Sequence, residues 1–408
     1  MSSATSTNSK DTKENEEKTT MLAYAITKPG NNQGELIHLP IPKLEQPNFC
    51  LIKVLRAGVC NTDLEILQGY MGFQGVLGHE FVGVVKSINT NDEDVLKEWI
   101  GQRVCGDINI GCGDCGVCAN DYGYDDDNGC GSCCHNMSRN HCPNRSVLGI
   151  LQCNGCMAEY IALPLCNLHK VPDGMSDEVA VFSEPLAAAC RIVEQKLVRY
   201  DVGEKRKPDK VAILGDGKLG LMIAEVLGRE HISHFGNDDN DGTTPPKPVL
   251  FGKHLSKLKL VSVSGVNGCL VEEAIDKSAF NGVSSKHAAK YDVVVDATGS
   301  PAGLTLAAGL CRPMGTLVLK STCAAGEQFN AAPFVIDELR VVGSRCGPIY
   351  KALELLNLKE EGVDSSSSSL KPLNVEKYIT RVFPLSEAPE AIKCAAERST
   401  MKVQIICD

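Results

Sequence analysis

No stretch of this 408-residue chain stays apolar long enough to suggest a membrane span, so a membrane-embedded protein is not expected. Positive charge is also short. Lys and Arg total 41 against 51 Asp and Glu, a net charge of -10, and a chain without a basic excess lacks the surface that tracks a phosphate backbone. Nucleic acid is therefore not an expected partner. Residues 1–20 lack apolar periodicity and read as a disordered tail. They also lack arginine and carry Asp11, Glu14, Glu16 and Glu17, whereas an organelle transit segment is basic and poor in acids. A secretory signal is missing from the expected features too. Cysteine is not scarce: of 20, many fall between Cys105 and Cys156 in CxxC spacings. Without a signal peptide that pattern favours metal and a reducing cytoplasm over disulfides.

The length and a hydrophobic content of 43% allow two domains with real cores. From Met21 the chain runs as short strands between Gly and Pro turns, with "CLIKVLRAG", "EFVGVVKSI", "QRVCGDINI" and "MAEYIALP" the clearest. After the helical "FSEPLAAACRIVEQ" the pattern becomes strand, glycine turn, helix, strand. There "KVAILGDG", "KPVLFG", "YDVVVDATGS" and "GTLVLKS" are continuous apolar runs, as a parallel sheet covered on both faces requires. The fold class expected is α/β: a β-rich domain over 21–190 and a doubly wound parallel-sheet domain over 191–345. Residues 231–247 and the serine run Ser365–Ser369 read as surface insertions. No internal repeat is visible.

Chemistry enters at Cys60 and His79. A thiolate and a neutral imidazole are ligands that suit zinc, although either residue alone would mean little. Around them, "AGVCNTDLEILQGYMGFQGVLGHEFVGVV" resembles the zinc-binding segment of the medium-chain alcohol and polyol dehydrogenases, and "VAILGDGKLGL" supplies the dinucleotide fingerprint such enzymes carry. The resemblance covers almost all of residues 21–408. It implies a GroES-like catalytic domain and a Rossmann domain, a return of residues 346–408 to the first domain, and a homodimer or homotetramer. It also implies zinc held by Cys60, His79 and an acid from the second half of the domain, which matches Glu184 in "FSEP". Glu80 ranks below Glu184 as an exchangeable ligand. Three protein ligands leave one position for substrate. An alcohol is a poor hydride donor until its hydroxyl loses a proton, and a dication favours that loss. Thr62 stands where the family places the hydroxyl that starts the proton relay. Where some members continue it with a His, this chain has Glu65. "CNTDLEI" is also similar to a segment of the glucose dehydrogenases of this superfamily.

Cys112, Cys115 and Cys118, followed by Cys142, have the form of the family's structural zinc lobe, and a closed Cys₄ zinc contributes to folding rather than catalysis. The gap before Cys142 is longer than in the family and contains Cys130, Cys133 and Cys134. The expected ligands are Cys112, Cys115, Cys118 and Cys142, with Cys134 as an alternative to Cys118.

In the fingerprint Gly215-Asp216-Gly217-Lys218-Leu219-Gly220, the glycines allow a tight turn and close approach of a pyrophosphate to a helix N-terminus. An acid is missing where the next strand ends. Gly252, Lys253 and His254 stand there instead, which favours NADP over NAD, since that acid would bind the free ribose hydroxyl. Thr298 and Gly299 fall where the family packs the nicotinamide, and Arg345 in "GSRCGP" falls in a segment returning toward the cofactor. The activity expected is zinc-dependent hydride transfer from a secondary alcohol, sugar or polyol to NADP, or to NAD. The alternatives are an NAD-dependent enzyme of threonine-dehydrogenase or general alcohol-dehydrogenase type, and a dinucleotide-binding redox sensor with a cysteine-rich switch.

Overall fold

The computed structural model describes residues 19–28, 33–118, 137–201, 207–236, 245–261, 263, 265–279, 282–321, 331–358 and 373–408. Nearly all of the expected tail, residues 237–244 of the expected insertion, the serine run and Cys130, Cys133 and Cys134 lie outside these residues, while 231–235 of that insertion form the end of the helix Lys218–Phe235.

The first sheet is built on the strand Phe49–Gly58, whose alternate residues Cys50, Ile52 and Val54 are fully buried. It pairs antiparallel with Glu80–Ile88 on one side and with the C-terminal strand Lys402–Ile406 on the other. Arg103–Gly106 and Leu168–Lys170 extend the sheet beyond Glu80–Ile88, and Ile379–Pro384 extends it beyond Lys402–Ile406. Residues near the C-terminus thus sit in the middle of the sheet that the N-terminal half builds. The run "QRVCGDINI" is not one strand. Arg103–Gly106 joins this sheet and Asn109–Ile110 joins a separate three-stranded one, because the Asp107 carboxylate accepts from the Asn109 N–H at 2.8 Å and turns the chain between them.

The second sheet has six parallel strands, in the spatial order Asn267–Leu270, Val249–Gly252, Val211–Leu214, Tyr291–Asp296, Cys311–Leu319 and Arg340–Gly343. Neighbours on the two sides of Val211–Leu214 come from different halves of the domain, so the order reverses there. In such a sheet the crevice beyond the strand ends at that point is the ligand site. All four residues of Val211–Leu214 are buried, as a central strand with both faces covered requires. Truncating one of them, Ile213, to Ala would cost about 2–5 kcal/mol. The fold is the expected α/β class, a mainly antiparallel β domain joined to a doubly wound parallel sheet. Among the described residues no helix is long and apolar enough to cross a membrane.

Candidate active site

Strand register makes the first donor set. Gly58 stands opposite Glu80, so Cys60, two residues past the end of one strand, and His79, just before the start of the next, are carried to the same place. The donor atoms of Cys60, His79 and Glu80 lie within 4.8 Å of one another. Asp63, in the first turn of the helix Asn61–Leu67, fixes both segments. Its carboxylate accepts from the Cys60 N–H at 2.8 Å and the Gly78 N–H at 3.2 Å, and it stands 3.4 Å from His79 Nδ1. Burial works against its charge, but His79 and the Cys60 N–H outweigh burial and hold the Asp63 carboxyl below its ordinary value. Nothing in the sequence pattern had singled Asp63 out.

Glu80 is fully buried, and its Oε2 is paired with the Lys402 ammonium. Its Oε1 has no hydrogen-bond partner, although a buried carboxylate oxygen without one is costly. Glu184 lies in the first turn of the helix Ser183–Glu194 and is not part of the converging group. It faces the same charges: burial pushes its carboxyl up to about 7, His79 draws it down and Glu80 pushes it up. The Cys60 thiol, the His79 imidazole and the Glu80 carboxylate with its unpartnered Oε1 form a sulfur, nitrogen and oxygen set that fits zinc, with Glu184 nearby. Thr62 Oγ1 lies 3.8 Å from Cys60 Sγ, at the rim of this set.

The four cysteines Cys112, Cys115, Cys118 and Cys142 also converge within 4.8 Å. Cys142 is the buried member, with its sulfur 3.7 Å from Cys115 and 3.4 Å from Cys112. Burial raises the Cys142 thiol, yet the Cys112 N–H and thiol bring it down to about 7, toward the thiolate a metal takes. Cys118 is in the group, while Cys134 lies outside the described residues.

The glycine loop opens the helix Lys218–Phe235. Gly215 holds φ at 119°, and a Cβ on Gly220 would stand 1.9 Å from the Gly215 carbonyl oxygen, so neither position admits a side chain. Around Gly217 the space is open. Leu219 packs into the core, and Lys218 Nζ reaches across to the first domain, donating to the Val59 carbonyl at 3.1 Å. Gly252 is buried, whereas Lys253 and His254 are exposed. Asp216 Oδ2 accepts from the His254 N–H at 2.7 Å and lies 2.9 Å from His254 Nδ1. The Thr298 hydroxyl donates to Asp296 at 2.7 Å, and the Gly299 N–H donates to Ser321 at 2.8 Å, both at the end of the neighbouring strand. Arg345 turns away from the glycine loop. Its guanidinium donates to Asn109 Oδ1 at 2.6 Å and to the Asn140 carbonyl at 3.0 Å, tying the second domain to the cysteine lobe.

A family model of the alcohol dehydrogenase GroES-like domain matches residues 46–173. The chain is similar to D-arabitol-phosphate dehydrogenase of Enterococcus avium, 26% identical over 395 residues that cover 95% of this chain and 97% of that protein. A shorter likeness, to L-threonine 3-dehydrogenase of Bacillus licheniformis, is 32% identical over 208 residues, or 49% of this chain and 51% of that protein. Among solved structures, a zinc-binding dehydrogenase of Sinorhizobium meliloti 1021 bound to NADP matches with a TM-score of 0.69 at 25% identity, covering 95% of this chain and 100% of that one. The likeness runs through both domains rather than the first alone, and the matched domain together with these relatives supports a place among the zinc-dependent medium-chain dehydrogenases/reductases.

Proposed function

We propose that this protein transfers a hydride from a secondary alcohol, sugar or polyol to a nicotinamide dinucleotide, with zinc at Cys60 and His79. The observation that carries the reading is the contact from Lys218 to the Val59 carbonyl, which sets the dinucleotide loop one residue from Cys60. Between the domains lies a cleft of ≈ 330 Å³, lined by Asn61, Leu64 and Glu65 on one side and Gly217, Lys218 and Lys257 on the other. Glu80 or Glu184 completes the metal set, Glu80 by its position and its unpartnered Oε1, and Glu184 as a buried carboxyl that feels the His79 charge. Zinc bound there supplies the Lewis acidity that makes a substrate hydroxyl easier to deprotonate. Thr62 Oγ1 would accept the substrate hydroxyl's proton as its own hydroxyl proton passes on to water in the cleft, and Asp63 keeps His79 in place. The zinc of the four-cysteine lobe holds the fold.

The similarity to a polyol-phosphate dehydrogenase supports a polyol-like substrate, and the half-length similarity to threonine dehydrogenase supports L-threonine as the second candidate. Lys253 and His254 favour NADP, as does the NADP-bound relative, while Asp216 beside His254 counts against it. Every described cysteine is free, which suits a reducing cytoplasm. A homodimer or homotetramer is the assembly proposed. The test is a turnover screen of polyols, sugars, secondary alcohols and L-threonine with each dinucleotide, before and after chelation. Dinucleotide reduction that a chelator abolishes and zinc restores is the expected result. Absence of reduction with every substrate class overturns the reading.

A further inference from the structure

We propose that Asp216, inside the glycine loop, takes the place of the acid missing from the end of the strand Val249–Gly252, and that the protein consequently selects NAD over NADP. The inference rests on the dinucleotide-binding reading above and names its specificity residue.

The space for the missing side chain is already filled. A Cβ built on Gly252 would stand 2.7 Å from Asp216 Cβ and 3.0 Å from Asp216 Oδ2, with Leu258 Cδ2 also at 2.7 Å. A carboxylate thus lies at the end of that strand although the strand's own last residue has no side chain. The chain supplies it from the neighbouring strand's loop.

The carboxylate is also held for use. Its Oδ2 accepts from the His254 N–H and faces Nδ1 of the same residue, while no described residue donates to Oδ1. The Asp216 side chain is only 13% exposed, and the Gly217 position beside it is open. A carboxylate fixed through one oxygen can accept at the other from a ribose hydroxyl. A 2′-phosphate in the same place offers added negative charge instead of a donor.

The cations nearby do not reverse this. Lys253 is exposed, so its attraction for a phosphate is screened by solvent. Lys257 Nζ donates to the Arg398 carbonyl at 3.3 Å, and His254 is engaged by Asp216 itself. The sheltered carboxylate outweighs a solvated lysine. A charge-assisted hydrogen bond of this kind corresponds to roughly tenfold to a hundredfold in affinity.

Dissociation constants for NAD and NADP, measured by calorimetry on the native protein and on Asp216→Asn, Asp216→Ser and Lys253→Ala, test the assignment. The native protein is expected to bind NAD at least about tenfold tighter, both Asp216 variants to lose most of that preference, and Lys253→Ala to keep it. Tighter native binding of NADP, or an unchanged ratio in both Asp216 variants, overturns the inference and leaves the dehydrogenase reading intact. Binding of neither dinucleotide to the native protein overturns both.

Discussion

Thr62 and Lys402 stand close to the same donor set, yet their loss should register in different measurements. Thr62→Ala removes a hydroxyl at the rim of the site. The turnover rate should fall by about 10²–10⁴-fold, with dinucleotide affinity nearly unchanged. A near-native rate across the pH range would show that the proton leaves by another route. Lys402→Met strands the fully buried Glu80 carboxylate, and breaking such a pair from one side costs about 3–5 kcal/mol, readable by urea denaturation. A loss below about 1 kcal/mol would mean that water or a metal already satisfies Glu80. The convergence of Cys60 and His79 was legible in sequence because its signal lies within one short segment. Lys402 was not, since it lies 322 residues from Glu80 and only the pairing of two strands with Phe49–Gly58 joins them. Asp216 escaped for a related reason. Position 252 was read along its own strand, whereas the carboxylate there arrives from the adjacent one, and an acid introduced at Gly252 would collide with it.

At the scale of elements, strands that are long or wholly apolar were readable and short ones were not. Phe49–Gly58, Glu80–Ile88 and Val211–Leu214 show their pattern directly. Gly75–Val76 and Asn109–Ile110 have two residues each, too few for any period, and take their places from their neighbours. The cysteine lobe follows the same division, because its spacing is visible but its use as a brace is a matter of contacts. Cys142→Ser should lower the melting temperature substantially, by losing a metal that links two chain segments, and so should a chelator on the native protein. Equal melting of native and variant protein would remove the structural role. Past the strand Cys311–Leu319, Lys320 is buried, donating to Ser344 Oγ at 3.2 Å and to the Arg345 carbonyl at 2.7 Å. Burial pulls its ammonium down from 10.5 to about 8. Between those values the unfolded chain holds the proton and the folded one releases it, so this residue's contribution to stability rises with pH across that window. The difference in unfolding free energy between native protein and Lys320→Met should therefore move in favour of the native protein from pH 8 to 10.5. A flat difference would place Lys320 in ordinary solvent.

Across the whole molecule, function depends on two domains meeting at one cleft. Lys218 bonds to Val59, Arg345 bonds to Asn109 and Asn140, and Lys402–Ile406 returns the chain end into the first sheet. These contacts set a metal-donor cluster against a dinucleotide loop, the arrangement hydride transfer needs, since reacting groups held in place replace a bimolecular encounter. The two domain types were legible from the change of hydrophobic pattern after Gln195. Their contacts were not, because each joins residues that no local pattern relates. Whether Cys60 holds a catalytic zinc separate from that of the cysteine lobe is decided by counting zinc per chain in the native and Cys60→Ser proteins alongside dinucleotide reduction. Two zinc ions are expected in the native protein, one for each donor set, and one in Cys60→Ser, with turnover lost and thermal melting little changed. Full turnover in Cys60→Ser, or two zinc ions retained there, would contradict that assignment.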